Sequence, residues 1–175
     1  ALERARQNGI DAVFVSKKEA GSLEGFDQAL CEVLDRYRID LVVLAGFLTI
    51  TGEYFPARYR DRIINIHPAL IPSFCGKGFY GLHVHEAVLE YGVKVTGATV
   101  HFVNEITDGG AVISQKAIPV LDDDTPETLQ QRVMRECEWK LLPEAAELFC
   151  AGRLQIEGRH VRILPETRKD TEENQ

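Results

Sequence analysis

Two periods of hydrophobic spacing alternate along this chain, one of about 3.6 residues and one of about 2, and the switches between them mark its elements. Residues 1–9 (A-L-E-R-A-R-Q-N-G) read as the body and glycine stop of a helix, and residues 10–16 (I-D-A-V-F-V-S) as a short strand. Residues 24–37 carry Phe26, Leu30, Val33, Leu34 and Tyr37 on one helical stripe. Residues 40–47 (D-L-V-V-L-A-G-F) are apolar almost throughout, the pattern of a parallel strand buried on both faces. A short helix within 51–59 follows, with Pro56 suited to its first turn, and then a second buried strand at 63–66. Helix and strand alternating in this way imply right-handed crossovers and a parallel sheet.

The pattern breaks at 68–81, where Pro68, Pro72, Gly76, Gly78 and Gly81 forbid regular structure and predict a long surface loop. A helix resumes over 82–91, with Val84, Ala87, Val88 and Tyr91 on one stripe and Gly92 as its stop. Residues 93–103 read as a long strand in which Val95, Gly97, Thr99, His101 and Val103 share a face. A turn at 104–110 leads to a further strand at 111–120, and so short a connection predicts an antiparallel pair. Thr125 and Pro126, after Asp122, Asp123 and Asp124, form a helix start, and a solvated cap explains the three acids better than a metal site. Leu129, Val133, Cys137 and Leu141 recur at four-residue spacing along this helix, which bends or breaks at Pro143 and ends near Gly152. Residues 154–163 predict a hairpin around Glu157 and Gly158, and the polar residues 165–175 a disordered tail.

Composition narrows the classes. A chain of 175 residues, 45% apolar and 27% charged, fits one soluble domain spanning 1–164. A net charge of −7 argues against general nucleic-acid or membrane-surface binding, but leaves room for an anionic small substrate at a local basic site. Cys31, Cys75, Cys137 and Cys150 are scattered without a C-x-x-C, as expected of reduced thiols, and with no signal peptide recognisable the expected compartment is the cytoplasm. The chain opens on a helix body with no start signal and no methionine, which reads as the middle of a domain: a truncated frame, a fragment or a processed product.

Candidate chemistry gathers at residues 63–68 (I-I-N-I-H-P). On a strand, Asn65 and His67 point to one face and stand at the carboxyl end, where open α/β sheets bind ligands. Asp108, in Thr107-Asp108-Gly109-Gly110, is a candidate partner: a carboxylate beside His67 would raise the imidazole pKa, while Asn65 would offer an N–H to a developing oxyanion. Spacing alone leaves Asp108 open to the plainer reading of a turn residue. Three other constellations are weaker. His83 and His85 with Cys75 or His101 could ligate zinc, but two histidines two apart diverge on a helix; Cys75 has no nucleophile motif around it; and Gly76-Lys77-Gly78 lacks the spacing of a nucleotide-phosphate loop.

The ordered combination of residues 64–74 (I-N-I-H-P-A-L-I-P-S-F), 97–103 (G-A-T-V-H-F-V) and Asp108-Gly109-Gly110 resembles the signature of the folate-dependent formyltransferases, on the branch serving purine synthesis. The resemblance runs from Leu2 to about Ile163. It implies an α/β, Rossmann-like formyltransferase fold, a mostly parallel sheet flanked by helices with an antiparallel C-terminal extension. It implies formyl transfer from 10-formyltetrahydrofolate to the amine of glycinamide ribonucleotide, with His67 as acid, Asn65 polarising the formyl oxygen and Asp108 raising the His67 pKa. By the same resemblance Leu48, Thr49, Ile50 and Thr51 line the folate site with Asn65, Asn104, Glu105, Ile106, Thr107 and Asp108, and Glu138 stands where the ribonucleotide is held. No metal is implied, and the protein is expected as a monomer or homodimer.

Two departures from that family bear on function. Members begin with a strand and a glycine-rich loop that binds the substrate phosphate, and no Gly-x-Gly turn precedes the first helix here, so the chain as given is expected to turn over little on its own. A basic residue used near the folate aligns with Leu23, and the insert at 76–81 suggests a mobile lid. The alternative activities are formyltetrahydrofolate deformylase, against which Pro68 argues because the hydrolase resemblance prefers a second histidine there, transfer to methionyl-tRNA, and a folate-binding fragment without turnover.

Overall fold

In the computed structural model, which describes residues 1–166, the chain forms six strands in one sheet, flanked by helices, in the order β1-β2-β3-β4-β6-β5. Three helices open the chain: α1 (Leu2–Gln7), α2 (Lys17–Ala20) and α3 (Leu23–Arg36). Ser16 and Ser22 start the second and third by accepting the N–H groups of Glu19 and Gly25. Then come β1 (Val42–Leu44), α4 (Tyr54–Arg58), β2 (Ile63–His67) and, after the loop at 68–81, α5 (Leu82–Tyr91). The second half runs β3 (Val95–Phe102), β4 (Val112–Pro119), α6 (Pro126–Val133), a π-helical turn (Met134–Glu138), α7 (Trp139–Cys150) and the hairpin β5 (Leu154–Glu157) and β6 (His160–Ile163).

The sheet is mixed. β1 and β2 run parallel, and so do β4 and β6, whereas β2 and β3, β3 and β4, and β5 and β6 are antiparallel. Antiparallel pairing therefore begins one strand earlier than the sequence pattern predicts. The side-chain period of two splits β2 between two cores. Ile64 and Ile66 face the larger one, with Ala98, Val100 and Phe102 of β3, Val88 of α5, and Leu129, Val133, Cys137, Leu141 and Ala145 of the long helix. Ile63 faces a smaller one with Cys31, Phe55 and Tyr59. Asn65 and His67 share the face of Ile63, so they point away from the larger core.

Three local expectations are corrected. Residues 10–16 form no strand: no strand of the described residues lies beside them to accept their backbone hydrogen bonds, and Phe14 stays 75% exposed. β1 is an edge strand of three residues, not one buried on both faces, since among the described residues only β2 pairs with it and Val43 is 42% exposed. The helix from Pro126 is not broken at Pro143, which lies within α7; its irregularity is the π turn upstream. That turn accounts for the spacing. On a pure α-helix a four-residue step overshoots a full turn by about 40°, so a stripe running from Leu129 to Ala145 would wander off its face. One wider turn resets the phase and keeps all five buried. The tail expected at 165–175 lies outside the described residues from 167 onward.

Leu129 is fully buried in the larger core. Leu129→Ala should lower unfolding free energy by roughly 2–5 kcal/mol, read as a drop in the urea midpoint with unchanged slope.

Candidate active site

The register of β2 against β3 assembles the site. Asn65 stands opposite His101, and His67 opposite Thr99. Residues directly opposite share a face, so these four side chains form one polar square on the paired strands β2 and β3. His101 Nδ1 lies 2.8 Å from the Phe102 carbonyl, and a carbonyl only accepts, so Nδ1 carries the proton. The other nitrogen, Nε2, lies 3.2 Å from the Asn65 amide and 3.6 Å from Asp108: bare, it accepts from Asn65, and protonated, it faces the carboxylate as a donor. Thr99 works for the loop: its hydroxyl donates to Ala69 O at 2.7 Å and accepts the Ile71 N–H at 3.1 Å, while Gln115 donates to it at 2.9 Å.

Asp108 closes the square from outside the sheet. It sits in the turn after β3 with φ of 54°, a conformation aspartate tolerates better than most residues. One carboxylate oxygen lies 3.6 Å from His67 Nδ1 and accepts the Gly76 N–H at 2.8 Å; the other lies 3.6 Å from His101 Nε2. The carboxylate thus meets both histidines and pins the 68–81 loop. Its turn requires two glycines: a Cβ on Gly110 would overlap the Phe102 carbonyl, and one on Gly109 would come within 2.6 Å of the Ile106 side chain. The Asn104 side chain shapes the same turn, accepting the Ile106 N–H at 3.0 Å and donating to Gly109 O at 3.4 Å.

Burial by itself raises the Asp108 carboxyl, but the His101 ring, the Gly76 amide and His67 outweigh it and hold the group below the ordinary carboxylate value. His67 shifts the other way from the sequence expectation. Burial is the largest influence and lowers its pKa; Asp108 and the Phe74 carbonyl push upward without overcoming it, and His101 adds to the fall. The effect of Asp108 has the expected sign, but the 4% exposure of His67 decides the net direction. Burial thus favours the neutral ring. Its Nε2–H donates to Phe74 O at 2.8 Å, which leaves the bare Nδ1 facing a carboxylate. A proton arriving at Nδ1 would be stabilised there by the Asp108 carboxylate.

The remaining sequence candidates divide. Leu48, Thr49, Ile50 and Thr51 form an extended strip after β1, in which Leu48 and Ile50 are 66% and 72% exposed and Lys17 donates to Ile50 O at 3.1 Å. On the Asp108 turn, Ile106 is 66% exposed, Thr107 is also exposed, and Glu105 pairs with Arg60 at 3.4 Å. Glu138 ends the π turn, which packs against β3 and β4; burial pushes its carboxyl up to about 7, and no hydrogen bond or ion pair among the described residues joins it to the Asn65–His67 cluster. His83 is exposed and pairs with Glu86 at 2.8 Å, while His85 is fully buried, so the two point apart. No group of three His, Cys, Asp or Glu among the described residues is placed to hold a metal ion. Burial and Asp108 both push the Cys75 thiol up, away from a thiolate nucleophile.

Sequence reasoning used His101 only as a possible zinc ligand and gave Thr99 no role. Their alternation with Gly97 on one face was visible; which strand lay opposite was not.

A profile of the formyl transferase family matches residues 1–146, so the chain belongs to that family. It is 43% identical over 154 residues to the chloroplastic phosphoribosylglycinamide formyltransferase of Arabidopsis thaliana, covering 87% of this chain and 52% of that protein. It is 38% identical over 156 residues to the phosphoribosylglycinamide formyltransferase of Haemophilus influenzae, covering 89% of this chain and 70% of that one. Among solved structures, glycinamide ribonucleotide transformylase 1 from Symbiobacterium toebii superposes with a TM-score of 0.87 at 46% identity, over 94% of this chain and 74% of that one. The chain thus spans about half the length of the Arabidopsis relative and about three quarters of the Symbiobacterium structure.

Two shifted titrations set a pH signature. Among the described residues His85 has no hydrogen-bond partner at either ring nitrogen, and burial, helped by His67, lowers its pKa from 6.5 to about 4. Below pH 6.5 the unfolded chain takes up this proton and the folded one does not, so the contribution of His85 is whole above 6.5 and lost as pH falls toward 4. Glu138 has the opposite sign: its raised pKa stabilises the fold at low pH, and that contribution is lost as pH rises from 4.5 through about 7. Unfolding free energies measured between pH 4 and 6.5 should therefore show a flatter rise with pH in His85→Phe and a steeper one in Glu138→Gln.

Proposed function

We propose that the protein transfers a formyl group from 10-formyltetrahydrofolate to the amine of glycinamide ribonucleotide. The observation that carries this reading is the convergence of Asn65, His67 and Asp108 at the carboxyl end of β2 in a member of the formyl transferase family. In this reading the substrate amine attacks the formyl carbon, a C–N bond forms, and negative charge develops on the formyl oxygen. The Asn65 amide N–H turns to that oxygen. His67 starts neutral with Nδ1 free, so it accepts the proton shed by the attacking amine and holds it against Asp108. The resulting imidazolium stabilises the oxyanion and then returns the proton to N10 of the folate as the old C–N bond breaks. One buried ring, neutral at rest and charged against Asp108 in between, serves both directions of proton movement.

The apolar, exposed Leu48 and Ile50 on one loop and Ile106 on the other offer flanks to a flat ring, which fits the folate placement that the family resemblance implies. Glu138, with its raised pKa, is placed by the same resemblance at the ribonucleotide. Both substrates held together turn an encounter of two solutes into a step within one complex.

The test uses protein from the complete reading frame, with 10-formyltetrahydrofolate and glycinamide ribonucleotide. His67→Ala and Asp108→Asn should each lower kcat by about 10²–10³ while circular dichroism shows the protein still folded. Near-normal turnover in His67→Ala would sink the reading, and formate released at equal rate without the amine would convert it to a hydrolase.

A further inference from the structure

Asp27 on α3 is fully buried, and no cation pairs with it among the described residues. Its two oxygens accept the Gly52 N–H at 2.9 Å and the Phe55 N–H at 3.0 Å. A buried carboxylate is costly, and a cap for a helix as short as α4 is usually supplied from the position just before it. Here that position is Glu53, whose side chain makes no capping bond. The cap comes instead from a helix 28 residues upstream. This arrangement ties α3 to the point where the strip 48–51 ends. The same strip is held from its other side by Lys17 of α2, on Ile50 O. Leu23, one turn before Asp27, also lies against Gly52, where a Cβ would come within 3.5 Å of it and within 3.0 Å of the Asp27 carboxylate. The strip has no ladder of its own, so these side-chain bonds set its shape.

We infer that Asp27, seconded by Lys17, is a positioning residue for the folate: it touches no substrate but fixes the backbone of 48–51 against which the folate ring lies. The inference rests on the folate placement proposed above. Asp27→Asn puts an NH₂ against an N–H and loses one of the two bonds. Gly52→Ala presses on the same carboxylate from the loop side. Lys17→Met acts at an exposed residue and leaves folding intact.

Binding of tetrahydrofolate and of glycinamide ribonucleotide is measured separately by calorimetry, in protein from the complete reading frame, beside melting temperatures. Asp27→Asn and Gly52→Ala should each raise the folate Kd about tenfold, and Lys17→Met about two- to fivefold, while the ribonucleotide Kd stays within about twofold. The Asp27→Asn, Gly52→Ala double variant should bind folate no worse than the weaker single. If Asp27→Asn does not fold, Gly52→Ala and Lys17→Met decide. Unchanged folate binding in the variants overturns the inference, as does equal loss for both ligands, which marks a merely structural role. Failure of the parent protein to bind tetrahydrofolate overturns the folate reading itself, and the inference with it.

Discussion

The antiparallel register of β2 on β3 is the constraint from which the rest of the site follows. It sets Ile64 against Phe102 and Ile66 against Val100 in the larger core, and in the same act sets Asn65 against His101 and His67 against Thr99 on the opposite face. A slip of one residue would turn the aliphatic residues out and the polar square in. The hydrophobic effect therefore fixes the geometry of groups that are themselves polar. Asp108 reaches the square only because the strand before it ends where it does, and because Gly109 and Gly110 let its turn close against Phe102 and Ile106.

Buried carboxylates recur as the joints of this fold. Asp108 accepts the Gly76 N–H, Asp27 those of Gly52 and Phe55, and Asp124 that of Leu121 while pairing with Arg132. Asp108 and Asp27 fasten a loop to an element distant in sequence, Asp124 holds the local turn before α6, and each satisfies backbone donors that would otherwise lie without partners. The loops so held are the ones bordering the Asn65–His67 cluster and the start of α6. Charge is thus spent on loop position, while aliphatic packing holds the sheet.

Protonation of His67, His85 and Glu138 follows from depth more than from neighbours, whereas at Asp108 the neighbours win. Burial carries His67 and His85 toward the neutral form and Glu138 toward the protonated one, and the nearby carboxylate softens this at His67 without reversing it. An interior that resists standing charge gives a transient charge a large effect, which suits a ring that takes up and returns a proton within one turnover.

Much of this was legible in the amino-acid sequence. Periodicity located α3, α5, the start of α6 at Thr125 and Pro126, and the final hairpin, because helical stripes, caps and turn glycines are local physics. The segments around Asn65, His67 and Asp108 carried the family resemblance by themselves. What the sequence left undecided depends on which elements become neighbours. Among the described residues, 10–16 have the composition of a strand but no strand beside them, and β1 has the composition of a buried strand but lies at an edge. His101 joined the site through cross-strand register, the phase of the long helix was corrected by a π turn, and the direction of the His67 shift was set by how completely the fold covers it. Local propensity names the pieces; desolvation and pairing, which exist only after the chain has closed on itself, decide what the pieces face.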